Sequence, residues 1–329
     1  MTVRPINDDA LWDSFVSSSP QGTVFSTSAW IRAAAAIQGG EPRFLGVFED
    51  DRLAGGVTFI ELSRGPFKKM TTPVLTPYGG VVYRPVSGKR STGEESFTTT
   101  CAEQLIGNLG GWYSYSCLVH APGLIDIRPF TWAGWRGSVR YTYVVDLTDT
   151  GRVWDLMERR VRTVLRKAES TLGLGGAVDM EQFGGLYDRI YRDRGKKPPI
   201  PRNIVTAFVD TMMKTGLAEM RSVRDETGEI ISVIVLVSGS GTVYAWISGS
   251  VPDKNSTGAF SLLFWDAIRR YSETSTRLDM VGANIPSVAF FKKGFGGELK
   301  PYYVTERYGS LLARAVFGAY GGMKRIFSP

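Results

Sequence analysis

The pattern of hydrophobic and polar positions predicts a mixture of helices and short strands along the first half of the chain. Residues 8–17 and 28–37 have the periodicity of amphipathic helices. Residues 43–48 and 53–62 alternate on either side of the turn Glu49-Asp50-Asp51, which predicts a β-hairpin. A further helix is predicted over residues 95–109, followed by strands over residues 114–120 and 141–147.

The second half repeats this order of elements without repeating the sequence. Helical patterns cover residues 152–172, 180–194, 201–215 and 259–272, and strand patterns cover 218–224, 230–238 and 242–248. We therefore expect two domains, an N-terminal one over residues 1–147 and a C-terminal, catalytic one over residues 148–329. The last predicted helix, residues 311–327, is expected to pack back on the body of the protein.

Composition narrows the class of protein. The 329 residues are 43% hydrophobic and 12% aromatic, which is enough for a sizeable core in two domains. No apolar stretch approaches the ~18 residues of a membrane-spanning helix, and the first residues lack a secretory pattern. We expect a cytoplasmic protein, with a position at the inner face of the membrane left open.

Two cysteines and a single histidine restrict the chemistry. They exclude a disulfide scaffold and any site that needs several histidines, so no metal site is expected. The surroundings of His120 do not resemble a nucleophile elbow, and a structural histidine at a strand end is the better interpretation.

Charge is concentrated in the second half. Residues 1–150 contain 13 Lys and Arg against 14 Asp and Glu, whereas residues 151–329 contain 26 against 18. This asymmetry favours an anionic or phosphate-bearing ligand of the second half, and a basic surface that is merely solvated is the alternative.

The most informative stretch covers residues 278–303. It predicts a short strand, a loop through Gly282-Ala283-Asn284, an apolar helical turn that ends at Lys292 and Lys293, and a second strand. A lysine supplies a point charge for a phosphate or a developing oxyanion. We therefore expect the ammonium group of Lys292 to point into an open cleft, although lysines in a last helical turn are also typical of a C-terminal cap.

Two further patterns lie upstream. Arg159, Arg162 and Arg166 share one face of a predicted helix, which suits the binding of carboxylate or phosphate, or a solvated face. Tyr244 and Trp246 alternate onto one side of a predicted strand, where they line a groove or pack in the core. The turn Ser256-Thr257-Gly258 before a helix is similar in position to the pyrophosphate-binding turn of acetyltransferases, but it contains one glycine only.

Together these segments resemble the Fem family of aminoacyltransferases and the wider FemAB-like branch of the GNAT superfamily. The segments that carry the resemblance are RRVRTVLRKA, TVYAWISGS, GAFSLLFWDAI and LDMVGAN with FFKKGFGGELKPYY, and more loosely FSTSAW and LTPYGG in the first half. The resemblance implies an α/β (α+β) fold of two tandem GNAT-like domains, each a mixed, mostly antiparallel sheet flanked by helices.

The resemblance also implies an activity. Fem-like enzymes form an amide on a cell-wall or cell-surface precursor, here an anionic acceptor, with aminoacyl-tRNA as the donor. Two alternatives stay open: an acyl-CoA-dependent N- or O-acyltransferase of exopolysaccharide or lipid biosynthesis, and a non-catalytic module that binds anions or RNA. The donor, tRNA-linked or CoA-linked, would be a substrate, so no tightly bound cofactor is expected, and a peripheral membrane contact is left open.

Site residues follow from the same resemblance. It implies that Phe291 and Lys292 lie at the reaction centre, and Asp279 is the nearest candidate base by motif, with a structural hydrogen bond as its alternative. Arg162 and Arg166 would approach the acceptor, and Tyr244 and Trp246 would line the groove. The other candidates for substrate binding are Asn284, Lys293, Tyr303, Trp30 and Tyr78.

Overall fold

The computed structural model describes residues 1–86, 91–311, 313 and 314 of the chain. These residues form two compact units: unit 1 contains Met1–Arg140 and the described residues from Pro301 on, and unit 2 contains Tyr141–Lys300. The domain limits expected from the sequence, 1–147 and 148–329, stay a prediction. Most of the predicted helix 311–327 lies outside the described residues.

Unit 1 is built on a mixed sheet with helices packed against it. Its strands run in the order β1-β2-β3-β4-β6-β13, with β5 paired to β3, and all of these pairs are antiparallel except β4 with β6. The elements are β1 (Thr2–Pro5), α1 (Asp9–Ser18), α2 (Ser28–Gln38), β2 (Glu41–Glu49), β3 (Arg52–Arg64), β4 (Phe67–Thr71), β5 (Gly80–Tyr83), α3 (Ser91–Leu109), β6 (Tyr115–Val119), α4 (Arg128–Trp132), the start of β7 (Arg136–Asp146) and the end of β13 (Glu298–Tyr308).

Local sequence explains where the first helices of unit 1 begin and end. Thr27 accepts a hydrogen bond from the backbone N–H of Trp30 at the start of α2, and Gly39 ends the helix with a left-handed φ of 70°.

The apolar faces of β3 and α3 meet in the core of unit 1, which contains Phe59, Leu105 and Phe130.

Unit 2 repeats the plan of mixed strands flanked by helices. Its strands run in the order β7-β12-β11-β10-β9-β8, and the described pairs are antiparallel except β11 with β12. Its further elements are α5 (Thr150–Leu156), α6 (Arg159–Thr171), β8 (Gly173–Gly175), α7 (Met180–Arg192), α8 (Arg202–Lys214), β9 (Ala218–Arg224), β10 (Ile230–Gly239), β11 (Thr242–Ser250), α9 (Ala259–Tyr271), β12 (Arg277–Asp279) and α10 (Pro286–Lys293).

The core of unit 2 lies where α6 and α9 pack on the sheet. Leu165 of α6, Leu263 and Phe264 of α9, and Leu236 and Val243 of the sheet are completely buried there. Each unit is therefore a mixed, mostly antiparallel sheet flanked by helices, as predicted.

One element differs from its prediction. The helix expected over residues 152–172 is two helices, because Met157 adopts an extended backbone with ψ of 140°. The backbone N–H of Glu158 donates to the carbonyl of Gly294 at 2.9 Å instead of continuing the helix. A tertiary hydrogen bond thus sets the start of α6 beside the end of α10.

Candidate active site

The ammonium group of Lys292 is enclosed by three backbone carbonyls. Lys292 lies in the last turn of α10, is 5% exposed, and donates to the carbonyls of Met280, Val281 and Gly282 at 2.5, 2.6 and 2.7 Å. An ammonium group has three protons, so all of its donors are used. The structure thus differs from the expectation that the ammonium points into an open cleft: it holds the loop between β12 and α10.

That loop has an unusual backbone. Val281 has a φ of 48° and Gly282 a φ of 70°, so two consecutive residues are left-handed. The left-handed region costs a β-branched residue roughly 1–2 kcal/mol, which the surrounding contacts must offset. The three carbonyls converge on one point because of this turn, and the positive charge of Lys292 compensates for their clustered partial negative charge.

Asp279 lies at the end of β12 on the other side of the same loop. It is 3% exposed, and its Oδ1 accepts hydrogen bonds from the Thr142 hydroxyl at 2.6 Å and from the Val281 N–H at 2.8 Å. The carboxylate therefore fixes the start of the left-handed turn. Thr142 has no signal in the sequence that would have marked it as part of this site.

Burial changes the protonation of Lys292. Desolvation lowers the pKa of its amine to about 8, and the nearby Asp279 carboxylate opposes this shift. The charged form is the one that fits the site, because a neutral amine has two protons for three carbonyls. Below about pH 8 the amine therefore keeps the three protons that the carbonyls accept.

Phe291 anchors the inner face of α10. Its ring stacks on Phe260 with a centroid distance of 4.8 Å and contacts Phe264 and Phe295 at 5.6 and 5.4 Å. This aromatic cluster fixes the helix that carries Lys292. Its role at the reaction centre stays a prediction.

The outer face of α10 contains a contact that the sequence pattern did not indicate. The guanidinium of Arg160 lies 3.9 Å from the ring centroid of Phe290, donates to the Phe290 carbonyl at 2.7 Å, and pairs with Glu158 at 2.6 Å. Phe290 is 62% exposed, so the pair lies at the surface. Several arginines follow one another at the start of α6, and the sequence does not indicate which of them contacts α10.

The two predicted acceptor-binding arginines of α6 have different surroundings. Arg162 donates from Nη1 to the carbonyls of Trp154 and Asp155, at 3.0 and 2.9 Å, and so caps the end of α5. Arg166 is exposed and lies 5.5 Å from the Trp154 ring. Contact of either arginine with an acceptor stays a prediction.

Tyr244 and Trp246 belong to β11, and both are buried. They are 5% and 7% exposed, and Trp246 packs against Phe208 of α8 at 5.8 Å. Burial and the Asp279 charge raise the pKa of Tyr244 well above its usual range, so its hydroxyl stays protonated. Their part in a substrate groove stays a prediction.

The remaining candidates are distributed over both units. In unit 2, Asn284 accepts the N–H of Tyr141 at 2.9 Å, and Lys293 is exposed at the end of α10. In unit 1, Trp30 and Tyr78 are buried in the core, at 0% and 1% exposure.

Each unit 1 candidate has a defined partner within that unit. Trp30 donates from Nε1 to Thr76 at 2.9 Å, Tyr78 packs on Tyr302 at 5.2 Å, and the carbonyl of Tyr303 accepts the His120 N–H. Their contact with a substrate stays a prediction.

The turn before α9 packs closely on α6. Gly258 has a φ of 85°, and a Cβ at this position would lie 2.5 Å from Val164 Cγ1 and 3.1 Å from Ala168 Cβ. The glycine is needed so that α6 can pack against the start of α9.

Part of the chain matches a known protein family. Residues 157–293, from the break before α6 to the end of α10, match the family model of the acetyltransferase (GNAT) domain. This segment is similar to a GNAT domain. It contains the carbonyl-bound Lys292 and ends one residue after it, so the loop that Lys292 holds lies within the matched segment. No curated protein sequence matches the chain.

Solved structures extend the similarity to the whole chain at the level of the fold. The chain is similar to FemX, with a TM-score of 0.67 and 12% identity over 92% of this chain and 97% of FemX. It is also similar to a tandem GNAT protein from the clavulanic acid biosynthesis pathway, with a TM-score of 0.55 and 10% identity over 94% and 98% of the two chains. A third similar structure is L-PGS from Bacillus licheniformis, with a TM-score of 0.55 and 13% identity over 97% and 96%.

These comparisons confirm the Fem-like tandem GNAT fold and the acyltransferase class that the sequence predicted. None of the helices in the described part of the chain combines the length and hydrophobicity that a membrane crossing requires. Among the same residues there is no cluster of three or more acidic, histidine or cysteine side chains that could hold a metal ion.

Proposed function

We propose that this acyltransferase forms an amide on an anionic cell-wall or cell-surface precursor, with aminoacyl-tRNA as its donor. The observation that carries the proposal is the Lys292 site: a buried cation fixes a left-handed loop at the end of β12, inside the GNAT domain. The Fem-like segments of the sequence and the FemX-like fold supply the substrate class.

The reaction needs a fixed carbonyl and a neutral amine. The acceptor nitrogen attacks the carbonyl carbon of the ester, the C–N bond forms as the C–O bond to the ribose breaks, and the amine proton leaves with the ribose hydroxyl. The positive charge of Lys292 favours the developing oxyanion through space, although its protons are given to the loop. We therefore assign Lys292 a positioning and electrostatic role, and a contact with substrate is not required.

The proton must pass to an acceptor outside the loop. Asp279 is buried and its Oδ1 already accepts two hydrogen bonds, which suits a structural role. A phosphate or carboxylate of the acceptor substrate can take the proton from the amine and pass it on to the ribose oxygen. This route agrees with an anionic acceptor.

Two observations support a tRNA-linked donor. The turn Ser256-Thr257-Gly258, similar in position to the pyrophosphate-binding turn of acetyltransferases, contains one glycine only, and this glycine packs against Val164 and Ala168. The second half of the chain also contains 26 Lys and Arg against 18 Asp and Glu, and a polyanion such as tRNA is attracted by this excess.

A second candidate is acyl transfer from acyl-CoA to an exopolysaccharide or lipid. The observation that favours it is the family model itself, which describes an acetyltransferase domain. The similarity in fold to the tandem GNAT protein from the clavulanic acid biosynthesis pathway also supports this candidate.

A donor assay separates the two candidates. The purified protein would be incubated with tRNA charged with radiolabelled amino acids, or with radiolabelled acetyl-CoA, in the presence of UDP-linked and lipid-linked muropeptides. We expect label to pass from charged tRNA to the acceptor. Transfer of label from acetyl-CoA alone would overturn the proposed donor. If neither donor supports transfer but the protein binds RNA, the result would favour a non-catalytic module.

A further inference from the structure

Unit 1 contains a cleft of about 600 Å3 between the end of α3 and strands β2 and β3. Residues 5–7 form a side wall, and Phe44 and Phe59 contribute to its lining. The volume falls in the range of small-molecule sites, about 300–1,000 Å3. All of the lining residues lie between positions 5 and 113, so the cleft belongs to unit 1 alone.

An exposed indole forms part of the lining. Trp112 is 73% exposed and follows Gly110 and Gly111 in the turn after α3, where Gly111 has a left-handed φ of 87°. Large aromatic rings usually bury most of their surface, and a ring presented on a tight turn is available to stack on a ligand.

A mostly buried carboxylate also lines the cleft. The Glu61 side chain is 11% exposed, accepts from the Tyr113 hydroxyl at 3.0 Å, and pairs with Arg43 at 3.5 Å and Lys68 at 3.6 Å. Burial alone would raise the pKa of Glu61, but the Tyr113 hydrogen bond and the two cations outweigh it and lower the pKa. Glu61 is therefore an ionised acceptor at neutral pH.

Hydrogen-bond donors complete the lining. Arg32 binds Asp9 through Nε and Nη2, at 2.8 and 2.6 Å, which leaves Nη1 out of that pair. Asn7 and Asn108 are exposed residues of the lining, and each amide can both donate and accept.

The charged groups of this lining are already paired, Glu61 with Arg43 and Lys68, and Arg32 with Asp9. The cleft therefore offers hydrogen-bonding groups rather than an uncompensated charge, which favours a neutral ligand. A molecule with several hydroxyl groups and no net charge can use every one of these groups, and the apolar C–H face of a pyranose ring matches an exposed indole. We propose that the cleft binds a neutral saccharide, with a pyranose stacked on Trp112 and its hydroxyls bonded to Asn108 and Glu61.

The inference does not depend on the proposed acyl transfer, because it concerns binding by residues of unit 1. It is tested on the full chain by calorimetric and tryptophan-fluorescence titration with glucose, N-acetylglucosamine and their β-1,4-linked di- and trisaccharides. Trp112→Ala and Asn108→Ala are the test variants. Trp132→Ala is the matched control, because Trp132 is a 64% exposed tryptophan of unit 1 outside the cleft.

We expect saturable binding of at least one of these sugars, weakened about ten-fold or more by Trp112→Ala and by Asn108→Ala and unchanged by Trp132→Ala. Glucose 6-phosphate and glucosamine should bind more weakly than glucose. Absence of saturation up to about 10 mM for all neutral sugars would overturn the inference. Binding that survives Trp112→Ala unchanged, or that prefers a charged sugar, would overturn it as well.

Discussion

At the scale of single residues, Lys292 shows how burial changes the task of a charged side chain. The sequence places a lysine beside glycines and aromatics, and such a lysine suits phosphate binding. In the structure its three protons are given to Met280, Val281 and Gly282. Which carbonyls converge on an ammonium depends on the backbone angles of a loop, and those angles cannot be read from residue types.

Removing the Lys292 charge should destabilise the protein. Lys292→Met leaves three buried carbonyls without donors and leaves Asp279 without its nearby cation, so we expect a loss of about 2–5 kcal/mol in the free energy of unfolding. Lys293→Met is the matched control, because Lys293 is exposed in the same turn, and it should change stability by less than about 0.5 kcal/mol. Urea unfolding of both variants measures the difference, and equal stabilities would contradict the structural role of Lys292.

The pKa of Lys292 predicts opposite pH trends for stability and activity. The pKa of Lys292 is about 8 in the folded chain against an ordinary value of 10.5, so between these pH values the unfolded chain binds one more proton. The contribution of this group to the free energy of unfolding therefore rises with pH in that window, whereas activity falls above about pH 8 as the ammonium is lost. The difference between wild type and Lys292→Met over pH 7–10.5 isolates the effect, and a difference that does not vary with pH would contradict it.

His120 gives a second test, because it is the only histidine. It is completely buried, its Nε2 lies 2.8 Å from the Thr305 hydroxyl, and burial lowers its pKa to about 3. Its imidazole NMR signals should not titrate between pH 8 and 5. As pH falls from about 6.5 to 3, the unfolded chain alone gains this proton, so the unfolding free energy should fall. A titration midpoint near pH 6.5 in the folded protein would contradict this burial.

At the scale of elements, the strongly periodic segments could be predicted and the tertiary interruptions could not. Helix α9 and the β10–β11 hairpin lie within one or two residues of their predicted limits, because their apolar patterns are long and regular. The break between α5 and α6 was missed, since it depends on a hydrogen bond between Glu158 and Gly294. The contact of Arg160 with Phe290 was missed for the same reason.

The packing of α6 on the start of α9 can be tested with two glycines of similar backbone angle. Gly258 has a φ of 85° with α6 against its open face, whereas Gly228 has a φ of 83° with nothing within 4 Å. Gly228→Ala should cost about 1 kcal/mol of stability from backbone strain. Gly258→Ala adds a steric clash and should cost about 2–4 kcal/mol. Equal losses in urea unfolding would show that α6 does not fill this position.

At the scale of the whole molecule, the repeated order of elements predicted the tandem fold, but it could not supply the site. The fold follows from two copies of one hydrophobic pattern. Phe291, Lys292 and Asp279 were chosen from one motif, and the structure brings them to one loop and its adjoining helix. Trp30 and Tyr78 were chosen by resemblance, and in this structure both are buried core residues of unit 1.

The uneven charge of the chain predicts how it binds a polyanion. If Arg166 contacts a phosphate of tRNA, Arg166→Gln should weaken binding and reduce the slope of log K against log salt by about one. Arg136→Gln, at an exposed position of unit 1, is the control and should leave the slope unchanged. Filter-binding titrations at roughly 50 to 200 mM salt give the slopes of both variants for comparison. An unchanged slope for Arg166→Gln would remove this arginine from the RNA surface.

The most direct test of the central claim is the rate of amide formation from charged tRNA by wild type, Lys292→Met and Lys293→Met, all checked for native circular dichroism. We expect Lys292→Met to lose about a hundred-fold or more in rate, comparable to removal of one preorganised electrostatic group, while Lys293→Met stays within a few-fold of wild type. A folded Lys292→Met protein that transfers at the wild-type rate would contradict the claim that the enclosed ammonium organises the site.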